Sequence, residues 1–389
     1  MLRRINSPPG SAPSFFAKKI GLGFVRAKDS DQRERSSDRR HGMPRRILVK
    51  EVNWLGDLVM SLPALRAIRA AFPSAWLAVL VKSELAGFFD GMDWIDEAIP
   101  YRIRPGALGL PDKFQVIHRI NAGHYDIAVL FPNSFAAALW PALARVPRRV
   151  GYATDHRGML LTDRATAPSY AFTGHQSLYW LALVRAALVT GPVDECKLTL
   201  EVSMGNRERM RQWLRDNRRC PERRLIALTP GAAYGPAKQW PSESYAALID
   251  LLAERHQVEC VLLGGPSERG VCERVASLTR YPALNAAGLT TVGELIGLLA
   301  QCDGFAGNDS GAMHLAAALG IPAVGIFGST APGRTGPRGP RASVIYRPLE
   351  CSPCLKRTCR FDHYRCLRQI TPEEVCEPLA RMGAFAAAP

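Results

Sequence analysis

Apolar and polar positions along this chain fall into blocks with two different periods. From residue 46 onward, short apolar runs such as "RRILVKEV" and "AWLAVLVK" alternate with longer stretches such as "GDLVMSLPALRAIRAAF", in which apolar residues recur at helical spacing. Short unbroken apolar runs separated by helices are typical of a parallel sheet covered on both faces. The first half therefore predicts strands near residues 45–52, 75–82, 95–101, 125–131 and 148–153.

The alternation weakens through residues 190–224 and begins again at "LIALTPGA". A helix pattern, "SESYAALIDLLAERH", then a strand pattern, "QVECVLLGG", and a second helix pattern, "TVGELIGLLAQC", follow in order. We interpret the chain as two doubly wound α/β domains of Rossmann-like type, residues 44–200 and 201–389. A ligand site is expected in the cleft between them.

The stretch "GNDSGAMHLAAALG", residues 307–320, predicts a strand, a turn and a short helix. Asp309 or Ser310 is the expected N-cap, and the helix should end before Gly320. Backbone N–H groups at such a helix start attract anions, and Gly311 lets a ligand approach the main chain closely. His314 follows one turn after Ser310 on the same side. A well-capped structural helix with a buried histidine explains this stretch equally well by itself.

Composition narrows the class of protein further. The chain has 389 residues, of which 47% are hydrophobic, and a formal charge of +15 that favours an anionic partner. No uninterrupted apolar run approaches the roughly 20 residues that a membrane span needs. Residues 1–43 contain Pro, Gly and Ser clusters and a charged tract without sustained periodicity, so we expect a disordered extension.

Further polar residues follow the predicted strands, where a cleft is expected. Asp57 follows the first strand and suits either an N-cap or a general base. Thr229, Gly231 and Lys238 follow the first strand of the second half, and a lysine there could neutralise a diphosphate. Glu268 suits either a ribose hydroxyl or an exposed helix start. This half contains neither a P-loop nor a G-x-G-x-x-G fingerprint.

A cysteine-rich segment lies near the C-terminus. "CSPCLKRTCRFDHYRC" contains Cys351, Cys354, Cys359 and Cys366, together with His363. The C-x-x-C pair has metal-ligand spacing, although the whole does not match a zinc ribbon. Reduced thiols and a structural zinc both stay open, and disulfides are the weakest of the three interpretations.

Four stretches together resemble glycosyltransferase family 9, the lipopolysaccharide heptosyltransferases: "ILVKEVNWLGDLVMSLPAL", "TPGAAYGPAKQWP", "LLGGPSE" and "GNDSGAMHLAAALGIPAVGIFGST". The resemblance covers about residues 46–380, and the tail "CSPCLKRTCRFDHYRCLRQITPEEV" is more similar to heptosyltransferase II than to heptosyltransferase I. It implies a GT-B fold in which the first domain holds the acceptor and the second holds the donor, ADP-heptose.

The resemblance also implies roles for individual residues. Asp57 matches the family's general base, Lys238 the lysine on the donor diphosphate, and Glu268 the carboxylate on the ribose. The implied donor-binding turn consists of Asp309, Ser310, Gly311 and His314, and Thr229 and Gly231 lie at the same edge. The implied reaction inverts the anomeric carbon. Because residues 44–389 lack an Asp-x-Asp motif, no metal cofactor is expected to be required.

The implied acceptor is a heptosyl-Kdo-lipid A inner core, which would bring the enzyme to the cytoplasmic face of the inner membrane. Basic residues of the first domain are candidates for contacts with acceptor or lipid phosphates: Arg102, Arg104, Arg119, Arg148 and Arg149. Attachment through surface arginines should be peripheral, reversible and weakened by salt. No nucleic-acid partner is expected.

Two other classes are weaker matches. A nucleotide-sugar epimerase or dehydrogenase should carry both the glycine fingerprint and a Tyr-x-x-x-Lys pair. The fingerprint is absent, and Tyr234 and Lys238, which have the spacing of such a pair, lie in a predicted loop. The hypothesis of a basic nucleic-acid-binding protein would explain the charge and the cysteine cluster, but it would not account for the two α/β halves.

A chain that begins at Met43 should keep its stability and activity, because residues 1–42 carry no apolar period with which to pack on a sheet. Thermal melting and a transfer assay on the shortened and full-length chains check this expectation. A markedly lower melting temperature or a loss of transfer would mean that the extension contributes to the fold or to membrane contact.

Overall fold

The structure is a computed structural model, and it describes residues 43–188 and 198–386. The predicted extension, residues 1–43, lies outside this range except for Met43. The predicted connection over residues 190–224 lies partly outside it, because residues 189–197 are not described.

The first half contains six strands, and a 3-10 helix over Ser83–Phe89 follows the second of them. The strands are β1 (Arg46–Lys50), β2 (Trp76–Lys82), β3 (Glu97–Tyr101), β4 (Ile127–Leu130), β5 (Arg148–Tyr152) and β6 (Asp163–Ala165). The α-helices are α1 (Leu55–Ala71), α2 (Gly109–Ala122), α3 (Phe135–Leu143), α4 (Ser169–Thr173) and α5 (Ser177–Ala187).

The second half opens with helix α6 (Met204–Asn217) and repeats the arrangement. Its strands are β7 (Leu225–Thr229), β8 (Glu259–Leu262), β9 (Leu284–Asn285), β10 (Gly304–Asn308), β11 (Ala323–Phe327) and β12 (Ala342–Tyr346). The remaining helices are α7 (Ser242–His256), α8 (Arg269–Leu278), α9 (Val292–Leu299), α10 (Gly311–Ala318), α11 (Pro332–Thr335), α12 (Arg365–Arg368) and α13 (Pro372–Arg381).

Each half forms one parallel six-stranded sheet with the same order of strands. The first sheet runs β3-β2-β1-β4-β5-β6, and the second, written from its other edge, runs β9-β8-β7-β10-β11-β12. In both sheets the order reverses beside the first strand, between β1 and β4 and between β7 and β10. Ligands of open parallel sheets bind at the carboxyl ends of the strands at this reversal. The predicted α/β class with two Rossmann-like domains is confirmed.

Alternate residues of each central strand pack on opposite faces of its sheet. Ile47 and Val49 contribute to a cluster that joins the two halves, whereas Leu48 belongs to a separate cluster on the outer face. In the second sheet Leu225 and Ala227 face the shared cluster, and the neighbouring residues pack beneath the C-terminal helices. Because both faces are covered, the central strands are apolar throughout.

Helices α1 and α10 connect the two halves, because each packs its N-terminal end against the other. A Cβ atom added at Gly311 would lie 2.7 Å from Cβ of Leu55, and one added at Gly56 would lie 2.9 Å from Cδ2 of His314. Glycine is needed at both positions because the backbones approach so closely. This contact brings the start of α1 and the start of α10 to one place.

The sequence analysis missed several elements. Helix α6 lies inside the stretch where the alternation weakened, and it buries only a narrow apolar stripe with Met210 and Leu214. Strands β6, β9 and β12 and helix α8 were also not predicted. Edge strands such as β9, which has two residues, carry too few apolar positions to stand out in the sequence.

Over the part of the chain that the structure describes, no helix combines the length and the apolar character that crossing a membrane requires.

The Gly311→Ala substitution should destabilise the protein by about 1–3 kcal/mol, because its methyl group overlaps Leu55. Gly270→Ala is a matched control, since that glycine is exposed in helix α8 with nothing within 4 Å of the added atom. The control should be neutral or more stable by about 0.4–1 kcal/mol. Urea unfolding compares the two, and equal stability would contradict the described contact between helix starts.

Candidate functional site

A cleft of about 1050 Å³ opens between the carboxyl ends of the two sheets. Its walls come from both halves of the chain, and it contains all nine predicted catalytic and donor-binding residues: Asp57, Thr229, Gly231, Lys238, Glu268, Asp309, Ser310, Gly311 and His314. Residues more than 250 positions apart in the sequence therefore share one cavity. The cysteine candidates lie outside this cleft.

Asp57 lies in the first turn of α1, on the first-half side of the cleft. Burial raises the pKa of its carboxyl group to about 6, with Lys238 opposing the shift and Asp309 adding to it. The N-cap position belongs to Trp54, which has extended backbone and no capping side-chain hydrogen bond. Asp57 is therefore not the N-cap, and its pKa lies near the range in which a carboxylate works as a general base.

Lys238 and Asp309 form an ion pair across the second half. Lys238 ends a 3-10 turn after β7, and its Nζ lies 2.6 Å from Oδ2 of Asp309. The two side chains are only 13% and 5% exposed. The hydroxyl of Thr330 donates to the same carboxylate oxygen at 2.6 Å. An ammonium group is thus fixed at the carboxyl ends of β7 and β10.

The start of helix α10 has no side-chain cap. Ser310 occupies the N-cap position with extended backbone, but its side chain makes no capping hydrogen bond. Of the two expected N-caps, Ser310 therefore holds the position and Asp309 does not, because the carboxylate of Asp309 is engaged by Lys238 and Thr330 instead. The first turn of a helix leaves backbone N–H groups without intrahelical partners, so this uncapped end is suited to bind an anion.

Glu268 lies directly over the backbone of Gly231. Its Oε2 accepts a hydrogen bond from the backbone N–H of Gly265 at 2.8 Å. A Cβ atom at position 231 would lie 2.5 Å from Oε1 of Glu268, so the carboxylate needs glycine beneath it. The carboxylate therefore reaches back into the cleft, where it faces the loop after β7.

His314 is buried where the two halves meet. Burial lowers the pKa of its imidazole to about 4, with Asp309 opposing the shift and Lys238 adding to it. The ring is therefore neutral at physiological pH. Its edge contacts Gly56, so His314 also packs against the start of helix α1, a contact that the sequence pattern did not indicate.

Three buried hydroxyl groups that line the cleft have no hydrogen-bond partner. They belong to Thr229, Ser310 and Thr335. Buried polar groups in proteins are almost always hydrogen-bonded, so these three hydroxyls are exceptions within the part of the chain that the structure describes. Thr335 was not predicted, because nothing in its local sequence distinguishes it from an ordinary turn residue.

Asn308 makes four side-chain hydrogen bonds beside the cleft, and the sequence analysis left it without a role. Its Oδ1 accepts hydrogen bonds from the backbone N–H of Trp240 and the hydroxyl of Tyr245, both at 3.0 Å. Its Nδ2 donates to the carbonyls of Pro230 at 2.8 Å and Gly231 at 3.1 Å. Asn308 thus holds both ends of the loop that carries Lys238. The sequence did offer one signal for Asn308, which is a polar residue at the end of an otherwise apolar strand.

The cysteine-rich segment supports that same loop from behind. The carbonyl of Arg357 accepts from the backbone N–H of Ala237 at 2.9 Å, and the carbonyl of Leu355 accepts from the hydroxyl of Tyr234 at 2.8 Å. Cation–π interactions add to this contact, because the cationic groups of both Arg357 and Lys238 lie over the ring of Tyr234. The segment thereby fixes the position of Lys238.

The metal interpretation of this segment is not supported. Cys351, Cys354, Cys359 and Cys366 line one small cavity with His363, and all four are free thiols. Across residues 43–188 and 198–386, however, no group of three or more His, Cys, Asp or Glu side chains is arranged to hold a metal ion. The structural zinc that the sequence left open has no such group to bind it within that range.

Four of the five predicted phosphate-binding arginines have partners within the chain, since Arg104 pairs with Asp112 at 2.9 Å and Arg119 donates to the carbonyl of Pro100 at 2.8 Å. Arg148 forms an ion pair with Asp163 at 3.1 Å, and Arg149 donates to backbone carbonyls including that of Leu160 at 2.7 Å. Arg102, Arg104 and Arg119 gather around a separate hollow of about 270 Å³. That hollow shares Pro100 with the wall of the cleft.

Comparisons with known proteins agree with this architecture. The model of Glycosyltransferase family 9 (heptosyltransferase) matches residues 113–365. The chain is 32% identical to lipopolysaccharide heptosyltransferase 2 of Salmonella typhimurium over 86% of this chain and 97% of that protein. It is 25% identical to lipopolysaccharide heptosyltransferase 1 of Pseudomonas aeruginosa over 87% of this chain and 98% of that protein. It is also similar to the solved structure of ADP-heptose lps heptosyltransferase II of E. coli, with a TM-score of 0.74, 28% identity, and coverage of 87% of this chain and 98% of that one.

Asn308→Ala should destabilise the protein by about 2–4 kcal/mol, because it leaves several buried groups without partners. It should also weaken ADP binding, because the loop that carries Lys238 loses its anchor. Tyr245→Phe, which removes one hydroxyl from the same network, should cost only about 1 kcal/mol and spare ADP binding. Denaturation and calorimetry test both variants, and an unchanged ADP affinity in Asn308→Ala would contradict the anchoring role.

Proposed function

This chain belongs to glycosyltransferase family 9, and from that premise we propose that it is a heptosyltransferase of the lipopolysaccharide core. The reaction we propose moves L-glycero-D-manno-heptose from ADP-heptose to a heptosyl-Kdo-lipid A inner core. The identity to the heptosyltransferase 2 relative exceeds that to the heptosyltransferase 1 relative, which supports the second transfer rather than the first. One observation carries the chemistry: the half-buried carboxylate of Asp57 in one half faces a corner of the other half that contains Lys238 and the uncapped start of α10.

The second half is suited to hold the donor. Lys238 and the uncapped start of α10 offer positive charge and backbone N–H groups for the two phosphates of ADP-heptose. Glu268 lines the same cleft and offers a carboxylate to ribose hydroxyls. These groups line one wall, so a nucleotide diphosphate can bind to all of them at once.

Before the donor binds, the ammonium of Lys238 is paired with Asp309. A bound diphosphate would offer the same ammonium a second anion. We infer that Asp309 orients Lys238 toward the diphosphate, and that Thr330 orients Asp309 in turn. As the bond between the anomeric carbon and the phosphate breaks, negative charge develops on the departing ADP. Fixed donors at this position stabilise that charge in the transition state more than in the ground state.

The first half is suited to hold the acceptor, with Asp57 as general base. A carboxylate with a pKa near 6 is largely ionised at neutral pH and still accepts a proton readily. Asp57 would take the proton from the acceptor hydroxyl as that oxygen attacks the anomeric carbon. Attack from the face opposite the departing ADP inverts the configuration at that carbon. The chain's own groups supply both functions, so we propose that no metal cofactor is required.

We further propose that the enzyme works at the cytoplasmic face of the inner membrane, because its acceptor is anchored there by lipid A. The hollow formed by Arg102, Arg104 and Arg119 lies beside the first-half wall of the cleft. Cations at this position are suited to bind the phosphate groups of an inner core.

If Asp57 acts on the acceptor while Lys238 and Asp309 act on the donor, substitutions on the two sides of the cleft should have different effects. Asp57→Asn should lower turnover at least about 100-fold while leaving ADP affinity nearly intact, because a base acts on the acceptor in the transition state. Lys238→Ala should weaken ADP binding about tenfold or more, because it removes a charge-assisted contact. Asp309→Ala should weaken ADP binding as well, since Lys238 loses the carboxylate that orients it. Purified variants are assayed with ADP-heptose and a truncated lipid A core by the mass gain of one heptose, and ADP affinity is measured by calorimetry.

The pH dependence of kcat/KM tests independently whether Asp57 is the general base. In the wild type, kcat/KM should fall about tenfold per pH unit below pH 6, because protonated Asp57 cannot act as a base. Glu84→Gln, which changes another carboxylate that lines the cleft, should leave this profile unchanged. If Asp57→Asn kept more than about a tenth of wild-type turnover, Asp57 would not be the base.

A further inference from the structure

The segment after β3 exposes three large apolar side chains. Leu108, Leu110 and Phe114 are 67%, 52% and 68% exposed, and together they form what we call the apolar knob. Leu110 and Phe114 lie one helical turn apart, so they project from the same face of α2. The opposite face already packs in the core through Val116 and Ile120. The knob is therefore not needed to hold α2 on its sheet.

The segment that carries the apolar knob is basic. Residues 102–119 contain Arg102, Arg104, Lys113 and Arg119 against the single acid Asp112, which leaves a net charge of +3. Asp112 pairs with Arg104 at 2.9 Å. Exposed apolar side chains on a basic segment match the cross-section of an anionic lipid surface, which has acyl chains beneath negatively charged headgroups.

The position of the knob fits the route of a lipid-anchored substrate. Strand β3 leads directly into this segment, and its residues Ala98 and Pro100 line the cleft. The hollow formed by Arg102, Arg104 and Arg119 continues from Pro100 toward the segment. An acceptor whose sugars enter the cleft from this side would carry its lipid anchor toward the knob.

The net charge of this segment also favours a membrane over a second copy of this chain as the partner of the apolar knob. Pairing two knobs face to face would bring a net +3 against a net +3, which opposes association. An anionic bilayer attracts the same cations. The exposed apolar residues of other regions, such as Met204 and Leu278, are 80% and 43% exposed and belong to separate helices of the second half.

We propose that the apolar knob inserts into the anionic leaflet beside the acceptor, while Arg102, Lys113 and Arg119 contact lipid headgroups. This inference rests on the proposed function, because the lipid-anchored acceptor supplies the reason for docking here. Attraction between surface charges fades at high salt, whereas apolar insertion does not. The knob therefore adds a salt-resistant component to the salt-sensitive attachment that the arginines alone predict.

The test compares the full chain with the double variant Leu108→Ser/Phe114→Ser and with the control Met204→Ser/Leu278→Ser. Binding is measured by sedimentation with phosphatidylglycerol-containing vesicles and with phosphatidylcholine vesicles, each at low and at high salt. At high salt the knob variant should lose about tenfold or more of its binding to the anionic vesicles, while the control should bind like the wild type. Equal binding of all three proteins would overturn the proposal.

Transfer assays on two acceptors separate this proposal from the proposed function. The knob variant should transfer heptose normally to a deacylated, water-soluble acceptor and at least several-fold more slowly to an acceptor embedded in vesicles. An equal loss on both acceptors would place the knob against the sugars and overturn docking. A wild-type dimer that the knob variant dissociates would overturn it as well. If the wild type transferred heptose to neither acceptor, the proposed function would fail, while the sedimentation result would still report on docking.

Discussion

The close packing of two helix starts determines how this protein can work. Helix α1 of the first half and helix α10 of the second approach so closely that glycine is required at positions 56 and 311. Because both helices begin at the carboxyl ends of central strands, this contact sets the anion-binding end of α10 beside the carboxylate of Asp57. The cleft and the placement of charged groups on its two walls follow from that contact.

Burial of charge gives the cleft its chemical character. Lys238 and Asp309 are almost excluded from solvent, so each needs the other when no ligand is present. Burial raises the pKa of Asp57 toward neutrality, and the charge of Asp309 adds to this shift while that of Lys238 opposes it. His314, buried beside them, is held neutral for the same reason and therefore adds no charge to the corner. The site thus contains one cation that is fixed in place and one carboxylate that is suited to accept a proton.

Rigid support for Lys238 comes from residues that do not touch the proposed reacting atoms. Asn308 holds the loop on the side of the sheet, and the cysteine-rich segment holds it from behind through Tyr234 and Ala237. A lysine on an unsupported loop would sample many positions, and its entropy would oppose the binding of a diphosphate. The cysteine-rich segment, which the sequence offered as a metal site, therefore has a mechanical explanation that requires no metal.

The sequence by itself determined the parallel α/β class, most of the central strands and helices, and nine of the residues that line the cleft. It could do so because period-2 and period-3.6 patterns and strand-end glycines are local properties of the chain. Only the tertiary structure decided that Asp309 binds Lys238 instead of capping its helix, and that Asn308 anchors the loop after β7. It also showed that Arg148 and Arg149 are engaged internally, whereas Leu108 and Phe114 are exposed. These outcomes depend on which side chains meet across large separations in the sequence, and a local pattern carries no information about such partners.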